Sequence, residues 1–190
     1  ERALALWRFL VSLGKVGSKK RSAQCFSAML LFVLKVLIHG QPVPPYKHDE
    51  DESVTVGMAK LSDVADSLRA CVTTYMTHKK CSLTNSFFKA LIARHPALAW
   101  RVVHTLIESA TSAKTVFLRA DAYALLEELF RFKQHVAPET LPGVVAGLLT
   151  ALHTSLASDK PFVGSTRRLA CALSAACAVA PLAEKNSGVV

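Results

Sequence analysis

Residues 139–157 have the sequence ETLPGVVAGLLTALHTSLA, which places apolar side chains at helical spacing over several turns. Intervals of three and four residues bring side chains onto one face of an α-helix, because the helix has about 3.6 residues per turn. The residues on that face are Leu141, Val144, Val145, Leu148, Leu149, Leu152 and Leu156. The stretch therefore predicts an amphipathic helix with one apolar face to bury.

The same periodicity recurs along the rest of the chain, while strand signals are nearly absent. Alternating β-branched residues and Asn-Gly or Asp-Gly hairpin turns are missing from the sequence. We predict an all-α protein without a sheet, with helices near residues 2–13, 21–39, 58–77, 84–94, 97–110, 115–134, 139–157 and 165–179. Gly40 follows the second of these helices, where a C′ glycine adopts the left-handed conformation without strain.

Three prolines stand where predicted helices begin, at a nearly constant interval. Pro96 and Pro138 are 42 residues apart, and Pro138 and Pro181 are 43 residues apart, with two predicted helices in each interval. HEAT and armadillo arrays are built of two-helix units that repeat about every 40 to 47 residues. The spacing of the prolines falls in this range. We predict an all-α, HEAT/armadillo-like helical-repeat solenoid built of antiparallel helix pairs. A closed helical bundle is the alternative, because prolines begin helices in any α-protein.

One segment interrupts the helical pattern. Residues 40–57, GQPVPPYKHDEDESVTVG, contain three prolines and the acidic block Asp49–Glu52. We interpret the segment as a Pro-rich, acidic and solvated loop between repeats, so that residues 1–190 form one helical-repeat array. The chain opens with Glu1 and has no secretory signal pattern, and we expect it to be a fragment of a larger chain.

Composition and motifs argue against several classes of protein. A chain of 190 residues that is 51% hydrophobic is not intrinsically disordered. The most apolar run, residues 29–38, is far shorter than the roughly 20 residues of a membrane span. The five cysteines form no Cys-x-x-Cys pair, and the glycine loops and histidine motifs of common enzymes are missing. We predict no metal site, no cofactor and no catalytic residues, and hence a protein that is not an enzyme.

Basic residues are the least ordinary feature of the sequence. The chain has 23 Lys and Arg against 14 Asp and Glu, a net charge of +9. In a solenoid the turns after odd-numbered helices lie along one edge, where they can follow a phosphate backbone. The candidate nucleic-acid-binding residues in the first and third turns are Lys15, Lys19, Lys20, Arg21, Lys79 and Lys80. A solvated, solubilising rim is the alternative, and no aromatic residues are interleaved to stack bases.

Two stretches resemble a known family. CSLTNSFFKALIARHP at residues 81–96 and FLRADAYALLEELF at residues 117–130 resemble the C-terminal helical-repeat region of the nucleolar Myb-binding protein / DNA polymerase V family, over about residues 58–135. The resemblance implies an armadillo-like all-α fold, a nucleolar location, and roles in ribosome biogenesis and transcriptional regulation. It implies no polymerase site, so there are no catalytic residues to assign from it.

Two classes of function follow from these observations. The first is a non-enzymatic helical-repeat scaffold in the nucleus, in the nucleolus by resemblance, with a cytoplasmic location as the alternative. Its partners would be other proteins of a large assembly, with RNA as a further partner and with no membrane or small-molecule substrate. The second is a helical-bundle enzyme or carrier domain. A deep pocket with perturbed titrating groups would favour the enzyme, and a basic edge without a cavity would favour the scaffold.

Overall fold

A computed structural model describes residues 2–13, 20–47, 54–77, 83–112 and 116–157. Within these ranges the chain is mostly helical, which confirms the predicted helical class. The helices are α1 (Arg2–Leu13), α2 (Lys20–Leu37), α3 (Leu61–Thr77), α4 (Leu83–Arg94), α5 (Pro96–Trp100), α6 (Val103–Ser112), α7 (Val116–Phe130) and α8 (Leu141–Leu156). Two short 3₁₀ turns, Lys133–His135 and Pro138–Thr140, connect α7 to α8. The predicted helix at 165–179 lies outside the described residues.

The longer helices pack in two layers. In the first layer α1 contacts α3, α3 contacts α6, and α6 contacts α8. In the second layer α2 contacts α4, and α4 contacts α7. The layers meet where α1 packs on α2 and α6 packs on α7. The apolar core lies between them and includes the fully buried side chains of Leu34, Leu68, Leu91, Leu106 and Leu126. Because burial of apolar area is the main favourable term in folding, this seam holds the layers together.

The first-layer helices α3, α6 and α8 start at residues 61, 103 and 141, which gives intervals of 42 and 38 residues. Pro96 is the first residue of α5, and Pro138 is the first residue of the second 3₁₀ turn. Both prolines therefore begin the short connecting element that precedes a first-layer helix. Proline fits there because an N–H in the first turn has no intrahelical partner.

The single helix predicted at 97–110 is wrong, because the chain forms α5 and α6 with a break between them. At the break the N–H groups of Arg101 and Val102 donate to carbonyls only three residues back. The Arg101 carbonyl accepts a hydrogen bond from Nε of Arg69 on α3, at 3.3 Å. The Arg69 side chain thus binds a backbone carbonyl that would accept an intrahelical N–H group in a continuous helix.

The prediction of no sheet is also wrong, since residues 54–61 include a small antiparallel hairpin. Strands β1 (Thr55–Val56) and β2 (Ala59–Lys60) pair across a two-residue turn that begins with Gly57 at a φ of +63°. Glycine at the first turn position is what tight hairpins of this kind require. Strands of two residues are too short to give an alternating apolar pattern.

Helix α2 ends in a Schellman motif, just before the predicted loop. The N–H of Gly40 donates to the Lys35 carbonyl at 3.2 Å, and the N–H of His39 donates to the Val36 carbonyl at 3.1 Å. Both His39 (φ +51°) and Gly40 (φ +64°) are left-handed. The left-handed conformation of Gly40 was predicted, but His39 occupies the C′ position, which glycine favours.

The described part of the loop after α2 is anchored at Tyr46, while Gln41, Pro42, Pro44 and Pro45 are exposed. Tyr46 is 4% exposed, its N–H donates to the His135 carbonyl at 2.9 Å, and its carbonyl accepts from the N–H of Ala137 at 2.8 Å. The buried Arg101 guanidinium lies 5.7 Å from the centre of the Tyr46 ring and donates to the Pro44 carbonyl. These contacts hold residues 41–47 beside the first 3₁₀ turn.

Candidate binding cleft

An open cleft of about 340 Å³ lies where α2 and α4 end. Four segments form its walls: the end of α2, the chain that follows it, the junction of α4 with α5, and the first 3₁₀ turn. The lining residues are Lys35, Ile38, Gly40, Gln41, Pro42, Val43, Arg94, His95, Pro96, Ala97 and His135. The volume is at the lower end of the range for ligand sites, about 300 to 1,000 Å³.

The charged side chains of the cleft are of one sign. Lys35 and Arg94 are exposed at its mouth, His95 and His135 are half-buried, and no carboxylate is among the lining residues. Within the described part of the chain, neither Lys35 nor Arg94 forms an ion pair. The cleft thus offers two cations that no described carboxylate neutralises.

The helix ends around the cleft do not reverse this charge. A helix C-terminus carries a partial negative charge of about half an electron, which Lys35 and Arg94 in the last turns of α2 and α4 oppose. The five carbonyls of residues 34–38, at the end of α2, all accept backbone N–H groups. These hydrogen bonds satisfy the carbonyls at the end of α2, and the Lys and Arg side chains that line the cleft are Lys35 and Arg94.

The floor of the cleft is apolar. Ile38 and Ala97 are buried, Val43 and Pro96 are half-buried, and all four line the cleft. None of the lining residues is Phe, Tyr or Trp. The arrangement combines a basic rim with a small aliphatic floor.

The surroundings of His95 in the cleft lower the pKa of its imidazole. Burial lowers the pKa of His95 from its usual 6.5, and the nearby charges of Arg94 and Lys35 lower it further. All three causes disfavour the imidazolium, so His95 is neutral at neutral pH. Lys35 and Arg94 are the Lys and Arg side chains that line the cleft.

The lowered pKa predicts an acid-dependent loss of stability. Because the unfolded chain binds the His95 proton more tightly, the contribution of this group is complete above about pH 6.5 and is lost as the pH falls through the folded-state pKa. His95→Gln should reduce the loss of unfolding free energy on acidification, measured by urea denaturation at a series of pH values. Lys35→Gln should reduce it in part, since it removes one of the two neighbouring charges. An unchanged pH profile in His95→Gln would contradict this assignment.

The predicted basic edge lies largely outside the described residues. Lys15, Lys19, Lys79 and Lys80 fall outside them, and of Lys20 and Arg21 only the backbone, at the start of α2, is described. Their assignment to nucleic acid remains a prediction. No sequence pattern predicts the cleft, because Lys35 is a single charge within an apolar stretch and His95 lies at a helix end.

Within the described ranges, no group of three or more His, Cys, Asp or Glu side chains is placed to hold a metal ion. None of the helices in that part of the chain has the length and hydropathy needed to cross a membrane.

Comparison with protein families identifies the chain. The family model described as Myb-binding protein 1A-like, TPR repeats, matches residues 5–160. The chain belongs to this family. The match runs from α1 to beyond the end of α8, so the Myb-binding protein 1A-like resemblance confirmed here extends past the 58–135 region in which the sequence suggested it. No curated protein and no solved structure matches the chain significantly.

Proposed function

We propose that the chain is a non-enzymatic helical-repeat scaffold that acts in the nucleolus, in ribosome biogenesis or transcriptional regulation, through contacts with proteins and with RNA. The family match over residues 5–160 is the observation that carries the proposal. Repeat families act by presenting extended surfaces, since each unit packs on its neighbours. The nucleolar association of the family supports the location.

Within that family, the proposed repeat type is HEAT/armadillo-like. TPR units have about 34 residues, whereas HEAT and armadillo units have about 40 to 47. The starts of α3, α6 and α8 are separated by 42 and 38 residues. The serial contacts within each layer also support stacking of successive helix pairs.

The cleft supports binding rather than catalysis. The residues that line it include no Ser, Thr, Cys, Asp or Glu, so His95 and His135 have no hydroxyl, thiol or carboxylate beside them there. A histidine that activates a Ser or Cys nucleophile needs that partner within hydrogen-bond reach. The alternative, a helical-bundle enzyme or carrier, would therefore need a site elsewhere.

Salt-dependent binding to single-stranded RNA tests the proposed RNA contacts. Each phosphate contact contributes about 0.7 to the log–log salt slope, so four or five contacts along the basic edge would give a slope of about −3. Lys79→Gln with Lys80→Gln should reduce the slope by about 1 to 2 and leave thermal stability nearly unchanged, because exposed charges contribute little to folding.

The matched control is Lys60→Gln with Lys89→Gln, which removes the same charge at two exposed positions outside the two turns that are predicted to form the edge. The control variant should keep most of the slope. A flat salt dependence, or no RNA binding, would contradict the RNA contacts and leave a scaffold for proteins.

A further inference from the structure

We propose that the cleft between the ends of α2 and α4 binds a short acidic segment of a partner protein. Carboxylates of the segment would lie beside Lys35 and Arg94, and one aliphatic side chain would lie on the floor near Val43 and Pro96. The inference rests on the scaffold function proposed above, because it specifies the chemistry of one protein partner.

Charge complementarity is the first argument. Lys35 comes from α2 and Arg94 from α4, and these two helices pack closely along the second layer. Neither cation forms an ion pair among the described residues, and no lining residue is acidic. Burial lowers the pKa of His95, and the positive charges of Arg94 and Lys35 on the same cleft lower it further. An anionic ligand would be stabilised by those two charges.

The shape and surface of the cleft supply the second argument. A space of about 340 Å³ is large enough for a few side chains but not for a folded domain. Its floor contains Ile38, Val43, Pro96 and Ala97, which can remove an aliphatic side chain from water. Its backbone is held in place, because Arg101 donates hydrogen bonds to the carbonyls of both Pro44 and Ala97. A preformed site reduces the entropy lost on binding.

A peptide fits this surface better than RNA does. Single-stranded nucleic acid is bound through aromatic side chains that stack on bases, together with a long track of cations. The residues that line the cleft include no Phe, Tyr or Trp, and Lys35 and Arg94 are its two Lys or Arg side chains. An acidic segment with an interspersed aliphatic residue uses both the rim and the floor.

Fluorescence anisotropy can test the proposal with a labelled peptide in which Asp-Glu pairs alternate with single leucines. We expect binding that weakens as salt rises, because the contacts are charge-dependent. Lys35→Gln with Arg94→Gln should weaken binding about tenfold, as expected for two partly exposed ion pairs. A peptide with Ser in place of Leu should also bind more weakly.

Three controls make the result specific. The variant pair Lys60→Gln and Lys89→Gln has the same net charge and lies outside the cleft, so it should bind the peptide like the unmodified chain. A Gln-Asn version of the peptide should not bind. Labelled oligouridylate should bind the Lys35/Arg94 variant as well as it binds the unmodified chain.

The proposal is overturned if the acidic peptide does not bind, or if the Lys35/Arg94 variant binds it no more weakly than the Lys60/Lys89 variant does. The proposal is also overturned if the Lys35/Arg94 variant loses affinity for oligouridylate instead of for the peptide, since the cleft would then be a nucleic-acid site. Each of these failures leaves the Lys79/Lys80 salt experiment unaffected, so failure of the cleft and failure of the proposed RNA contacts are distinguishable.

Discussion

Trp100→Ala should lower the free energy of unfolding by about 4 kcal/mol, the range for truncation of a large buried aromatic side chain. Trp100 is 0% exposed and lies at the end of α5. Its ring centre is 5.3 Å from that of Phe130 on α7, in an edge-to-face arrangement. Its Nε1–H donates to the Phe132 carbonyl at 3.0 Å. The substitution therefore removes packing and a hydrogen bond that join α5 to the end of α7. Urea denaturation would measure the change.

Two further variants separate these contributions. Trp100→Phe keeps most of the packing but removes the donor to the Phe132 carbonyl, and should cost about 1 to 2 kcal/mol. Phe32→Ala removes an aromatic side chain that is 67% exposed and should change stability little. If Trp100→Ala were as mild as Phe32→Ala, the position of α5 between α4 and α7 would be wrong.

Gly57→Ala should destabilise the protein by about 3 kcal/mol, from backbone strain and overpacking together. Gly57 has a φ of +63°, and a Cβ there would meet the Leu37 carbonyl oxygen and lie 2.6 Å from the Ile38 carbonyl carbon. The hairpin turn sits against the end of α2, where the N–H of Met58 donates to the Leu37 carbonyl at 2.9 Å. Because these are backbone atoms, they cannot move aside as a flexible side chain would.

Gly40→Ala is the matched control for this prediction. Gly40 has almost the same φ, +64°, but a Cβ there would meet no atom within 4 Å. The variant should cost about 1 kcal/mol, which is the conformational penalty alone. Chemical denaturation of both variants would give the difference. Equal effects at the two glycines would mean that the hairpin does not pack against α2.

The helices were predictable because their signals are local. Residues such as Leu61, Val64 and Leu68 recur at helical spacing, and all three are buried in α3. The prolines were informative for the same reason, since Pro96 and Pro138 do begin connecting elements. The hairpin was missed because its strands have only two residues, although Gly57 between Val56 and Met58 was a signal for a tight turn.

The cleft could not be predicted, because it depends on contacts between distant parts of the chain. Lys35, Arg94 and His135 are brought together only when α2 packs on α4 and residues 41–47 pack beside the first 3₁₀ turn. That last contact joins Tyr46 to Val136, in a parallel bridge across 90 residues. The break at Arg101 has the same origin, since its carbonyl is bound by Arg69 from another helix.

The distance between α1 and α8 tests the layered array most directly. With the native cysteines replaced, spin labels at the exposed positions Ala5 on α1, Ala70 on α3 and Ala146 on α8 would report the spacing along the first layer. Neighbouring helix axes lie about 8 to 10 Å apart, so three steps predict about 25 to 30 Å between α1 and α8. The label at Ala5 should therefore be much farther from Ala146 than from Ala70. Two similarly short distances would contradict the array and indicate a closed bundle.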